Sequence, residues 1–183
     1  MTSVPEGAVA PLLIPGILQT TDVIRAIMVA AEVPASEIGE RVTVRVGRRN
    51  MITRKDPAHL EVLLGEVALR KNTGGRQVWA DQLRYLLELS ELPNIDIRVI
   101  PTESGWTPAD TGAFIVLDSG GVEPTIVNVE LQGAGLILHD EADVETHRKA
   151  AASVRKRAMS AADTQKRITE VLKEWESYDD VTA

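Results

Sequence analysis

Few residue types in this chain can do chemistry. Its 183 residues include three His, three Trp, two Tyr and no Cys. Without Cys there is no thiolate nucleophile, no disulfide and no Cys-based zinc or iron–sulfur site. His is the commonest acid–base group near neutral pH. His59, however, sits in a polar turn sequence, and His139 lies between an apolar triplet and a helix start. His147 follows Asp143 by four residues in a helical stretch. That spacing suits a shared metal, but an ordinary i,i+4 surface pair is the simpler expectation. The sequence carries no HExxH, no nucleophile elbow, no phosphate-cradling glycine loop and no EF-hand loop. No metal and no cofactor is expected.

Carboxylates and amides offer more. Glu66 and Glu130 each stand in an otherwise apolar run that reads as a strand. If both pointed into a cavity, burial would raise their pKa toward that of a useful general acid or base. They are the catalytic candidates if the protein is an enzyme. Otherwise each faces solvent, or Glu66 pairs with Arg70. Gln19, Arg70 and Gln82 are polar groups beside apolar stripes, suited equally to a ligand and to buried backbone groups. Tyr85 and Trp106 are the aromatic candidates for a pocket wall. Trp106 stands in a Gly/Pro loop, where a large apolar residue often covers a pocket or meets a partner. Trp79 belongs to an apolar helical stripe and is expected in the core, and Trp175 ends the last helix. Arg148, Lys149, Arg155, Lys156 and Arg157 are balanced by Asp140, Glu141, Asp143 and Glu145, in the order a solvated helix dipole favours.

The elements that must hold these groups are clearest at residues 74–101. Gly74-Gly75 breaks what precedes. Val78, Trp79, Leu83, Leu86, Leu87 and Leu89 then recur at helical spacing. Pro93-Asn94 stops the helix, because Pro lacks an N–H and disfavours a helical Leu92. The period then falls to two: Ile95, Ile97 and Val99 point one way, Asp96 and Arg98 the other. Upstream, residues 1–10 are small and polar and read as a flexible N-terminus. Residues 11–16 read as extended and packed. Thr20 or Thr21 caps a helix carrying Val23, Ile24, Ile27, Met28 and Ala31. Residues 35–53 suit a helix or a strand; helix is preferred, because Arg41, Arg45, Arg48 and Arg49 would then form a solvated face. Residues 60–69 read as a strand kinked or bulged at Gly65. Residues 113–117 and 125–131 read as a hairpin, with residues 136–138 a short further strand. Two helices, about 141–158 and 161–176, follow cap signals at Asp140 and Ser160, and residues 177–183 should fray. Together these predict one α+β domain over residues 11–176. Its sheet is antiparallel or mixed, of four to five strands, packed with helices from both ends and the middle of the chain.

Composition narrows the classes. The chain is 44% hydrophobic but only 3% aromatic, so the core is aliphatic. A net charge of −7 argues against direct nucleic-acid binding. No apolar run approaches the roughly 20 residues of a membrane span, and the N-terminus has no basic region of a secretory signal. A soluble cytoplasmic protein is expected.

The segments PLLIPGILQTTDVIRA, EVALRKNTGG, QLRYLLELSELPNIDIRVIP and GLILHDEADVETHRKAAASVRKRAMSAADT occur in a distinctive order and spacing. In this the chain resembles the C-terminal domain of unknown function of many actinobacterial Xre-type helix-turn-helix regulators, from about residue 11 to residue 172. The PGILQT start and the ELPN stretch carry the resemblance together. Three features depart from the pattern. No helix-turn-helix domain is expected ahead of it, Met1 standing shortly before the signature. Val23 takes the place of the usual aromatic, and Trp106 stands where less bulky residues are usual. The resemblance implies a ligand- or partner-binding regulatory module whose partner is a small molecule or a protein; a homodimer is one assembly this allows. Fold does not dictate function, so an alternative stays open: a stand-alone cyclase, isomerase or hydrolase acting on a small, largely apolar molecule in specialised metabolism. There Glu66 or Glu130 would act as acid/base while Tyr85 and Trp106 exclude water. A closed cavity with either Glu at its base would favour the enzyme; open apolar surface would favour partner binding.

Overall fold

A computed structural model describes residues 4–118, 120, 123–131 and 134–177. Six strands form one mixed sheet: β1 (Val4–Ala10), β2 (Leu60–Gly65), β3 (Ile95–Ile100), β4 (Phe114–Asp118), β5 (Ile126–Leu131) and β6 (Ala134–Leu138). Their order is β3-β2-β1-β4-β5-β6. The β1–β2 and β2–β3 pairs are parallel; β1–β4, β4–β5 and β5–β6 are antiparallel. The architecture is α+β as expected, with more strands than the four to five predicted.

The additional strand is β1, and it corrects the reading of residues 1–10 as flexible. It lies mid-sheet, with Ala8 paired to Val62 on one side and Ile115 on the other. Ala8, Val9 and Ala10 are buried. Its residues are small, so their sequence has little hydrophobic amplitude. Hydrogen-bonded neighbours on both sides, rather than local propensity, hold it as a strand.

Six helices flank the sheet: α1 (Thr21–Ala30), α2 (Ala35–Gly47), α3 (Asn50–Thr53), α4 (Arg76–Ser90), α5 (Glu141–Arg155) and α6 (Ala161–Ser177). One face packs against α4 and α6 through Val62, Leu64, Ile97, Val99, Trp79, Leu83, Leu86 and Ile168. Full burial of Leu83 and Leu86 contributes about 2 kcal/mol each. The opposite face, with Val9, Leu63, Phe114, Val116 and Val127, packs against Val144, Ala151 and Val154 of α5. Strand alternation thus feeds two cores from one sheet. Helices α1 and α2 meet each other through Ile24, Met28, Ile38 and Val42.

The helical preference for residues 35–53 matches α2 and α3, but Arg49 leaves the solvated face assigned to it and is half-buried. The strand predicted over residues 60–69 ends at Gly65. A Cβ there would stand 2.0 Å from the Pro11 carbonyl oxygen, so the N-terminal segment crosses against bare backbone. The chain then turns into a 3-10 segment, Glu66–Arg70. Glu66 is therefore not a strand residue. The tail beyond Ser177 lies outside the described residues.

Candidate functional site

Gln19, Gln82 and Tyr85 come together around the start of α1. Gln82 is fully buried. Its amide donates to the Leu18 carbonyl at 2.9 Å and accepts from the Thr20 N–H at 2.7 Å. Thr20 is the α1 N-cap, accepting from the Val23 N–H. Gln19 donates to the Ile14 carbonyl at 2.7 Å. Arg49 donates to the Gln19 carbonyl, and its guanidinium stands 5.3 Å from the Tyr85 ring centroid. The two amides thus satisfy backbone that neither sheet nor helix serves. They fix the 3-10 turn Gly16–Leu18 and the first turn of α1 onto α4. Arg49 escaped the sequence reading because its partners, the Gln19 carbonyl and the Tyr85 ring, lie about 30 or more residues away in the chain, and nothing in the arginine run itself points to them.

The other named residues are scattered. Glu66 is buried and accepts from the Thr102 N–H at 3.0 Å and the Thr102 hydroxyl at 3.2 Å, with Arg167 of α6 at 3.4 Å. It fastens the end of β2 to the loop after β3 and to α6. Arg70 pairs with Glu174 of α6 rather than with Glu66. That hydrogen-bonded pair raises the Arg70 pKa and lowers that of Glu174. Glu130 is exposed on β5, opposite Gly135. Three strand spacings, roughly 14 Å, separate β2, which ends just before Glu66, from β5, which carries Glu130. Trp106 is 69% exposed on a loop whose Ser104 and Trp106 carbonyls accept from Arg157. Trp79 lies in the core as expected, its indole donating to the Leu69 carbonyl at 2.7 Å. Trp175 packs half-buried at the core edge under the Arg76 guanidinium. His147 does not pair with the Asp143 carboxylate. Its Nδ1 lies 2.8 Å from the Asp143 backbone carbonyl, and its ring meets Phe114 edge-on.

Two concavities stand out, and none of the sequence candidates lines either. The first, about 460 Å³, is an open groove between α1 and the start of α4, with Ala26, Val29, Ala30, Gly74 and Val78 as its floor and walls and Asp22 and Arg25 at its rim. Gly74 has φ 84°, and a Cβ there would come within 2.9 Å of the Ala26 Cβ, so bare backbone lies against α1. The signal in the sequence was Val29, an apolar residue off the buried stripe of its helix and 60% exposed. The second, about 280 Å³, lies between α5 and the sheet and is lined by Gly7, Val116, Ala151 and Ala152 with Glu61, Arg148 and Arg155. The Arg155 pKa is raised by its hydrogen bond to Glu61. Glu61 is the register partner of Asp96, which in turn receives the Arg98 Nε at 2.8 Å.

These features define an α+β domain with open grooves and a polar clamp that serves its own backbone. Residues 7–170 match the family described as a domain of unknown function (DUF5753), and the chain belongs to that family. No curated protein and no solved structure matches it. Among the described residues no helix is long and apolar enough to cross a membrane.

Proposed function

We propose that this domain is a non-catalytic regulatory module that binds a partner in the groove between α1 and α4, in keeping with its resemblance to regulator effector domains. One observation carries the reading: the groove is apolar, open to solvent, and walled by the two helices that Gln82 ties together. Its small residues leave open apolar surface for a side chain to lie against, and Asp22 and Arg25 at the rim suit the charged flank of an amphipathic helix. Burying the exposed part of Val29 would contribute about 1 kcal/mol. An occupant touches α1 and α4 at once, so it favours whichever arrangement of the Gln82 bridge accommodates it.

The enzyme reading has no comparable support. Glu66 is committed to Thr102 and Arg167, Glu130 stands in solvent, and neither lines either of the two grooves described above. Photo-crosslinking tests the groove. A photoreactive residue at position 29 should give a discrete adduct in the producing cells, abolished by A26W. The same residue at position 44, a valine equally exposed on α2, should give none. Identical products at both positions, or none at position 29, would sink groove binding.

A further inference from the structure

We infer that the outer edge of β6 pairs with β6 of a second copy of this chain, in antiparallel register about a twofold axis at Leu136. This goes beyond the groove and does not depend on it. The two ends of the sheet are finished differently. At β3 the edge is closed: the Val99 N–H donates to the Thr164 hydroxyl at 2.9 Å, and the Val99 carbonyl accepts from the Met159 N–H at 2.8 Å. The same strand carries Asp96 and Arg98. Closure and charge are the usual means by which a sheet edge is kept from pairing with another chain. At β6 neither is present among the described residues. The strand AGLIL has no charge, and among the described residues only β5 pairs with it. Leu136 is 47% and Ile137 58% exposed.

The strand's own sequence selects the occupant. In an antiparallel pair centred on Leu136, Ile137 falls opposite the partner copy's Gly135, and Leu138 opposite its Ala134. Ile137 thus meets a glycine, Leu136 meets its own copy on the axis, and no like charges meet. β6 already runs antiparallel to β5, so the added strand continues the antiparallel half of the sheet. The pairing is short. A strip roughly 17 Å long buries well under the ~1,200 Å² of a standard interface. The dimer should therefore be weak and its population concentration-dependent.

Sedimentation velocity of the whole chain from about 5 to about 500 µM tests this across the relevant affinity range. The wild-type sedimentation coefficient should rise with concentration. L136K places like charges across the axis. I137E and G135K each place one charge per copy opposite an uncharged residue of the partner copy, and a lysine at position 135 faces Glu130 of its own β5 without repelling it; each variant should weaken association at least tenfold with an unchanged circular dichroism spectrum. The double variant I137E/G135K sets opposite charges across the twofold axis and should recover association that either single change loses. A wild type that stays monomeric throughout, leaving the edge to a strand of some other protein, overturns the proposal. So does a dimer indifferent to L136K, or a folded double variant that fails to recover.

Discussion

Replacing Gln82 by Leu keeps the side chain's bulk and removes both ends of the clamp. The Leu18 carbonyl then loses a buried hydrogen bond, and the Thr20 N–H loses a partly buried one. An orphaned buried backbone group costs about 1–3 kcal/mol. Taking about 2 kcal/mol for the Leu18 carbonyl, and about 1 for the Thr20 N–H because water reaches it more easily, Q82L should lose about 3 kcal/mol. With a urea m-value near 2 kcal/mol/M for a chain of this size, the unfolding midpoint should fall by about 1.5 M. The thermal midpoint should fall by roughly 6–12 °C. Circular dichroism at helical wavelengths, followed through urea, measures both stability and m. Q82E sharpens the test. Its ionised carboxylate can accept from Thr20 but repels the Leu18 carbonyl, so it too should destabilise at pH 7. Once protonated, it can donate to Leu18 while still accepting from Thr20. The folded state then raises the pKa of the introduced carboxyl, and the deficit relative to wild type should shrink as pH falls toward its unfolded value. A loss below about 1 kcal/mol for Q82L, or a Q82E deficit that grows in acid, would refute the clamp.

Other perturbations read the same framework elsewhere. W79F removes the donor to the Leu69 carbonyl and part of a fully buried ring; it should cost about 2–4 kcal/mol in urea unfolding. G65A drives a methyl into the Pro11 carbonyl and should cost about 3 kcal/mol, shown by loss of folded yield or a lowered thermal midpoint. E174Q breaks an ion pair whose side chains are about half exposed, so the loss at pH 7 should be only about 0.5 kcal/mol. Because Arg70 holds the folded Glu174 pKa below its ordinary value of 4.5, that contribution is present above this value. It disappears as pH falls through the folded pKa, so the urea midpoints of E174Q and wild type should converge in acid.

Local chemistry made part of the fold legible. The stripe of α4 and the two-residue period of β3 each follow from a few neighbouring residues and stand where they were expected, while α4 itself ends at Ser90, ahead of Pro93. What escaped depends on partners distant in sequence. β1 is written in small residues and becomes a strand only between β2 and β4. Glu66 continues an apolar run, and nothing local reveals that Pro11 crosses at Gly65. Gln19 and Gln82 were recognisable as polar groups beside apolar stripes. Their service to backbone depends on the packing of α4 against the start of α1, some sixty residues away in the chain. The grooves were harder still, since a concavity is made by small residues on separate elements and only the misplaced Val29 hinted at one.

The central position of β1 has a consequence for how the protein forms. This strand is synthesised before both of its neighbours, which lie about 50 and about 100 residues further along. Such distant pairings slow folding, because long loops must close before the contacts that reward them exist. Until β1 is seated, β3-β2 and β4-β5-β6 are separate ribbons, each offering an open flank to any other strand in reach. Deleting the first ten residues would therefore not trim the domain. It would divide one sheet into two aggregation-prone fragments.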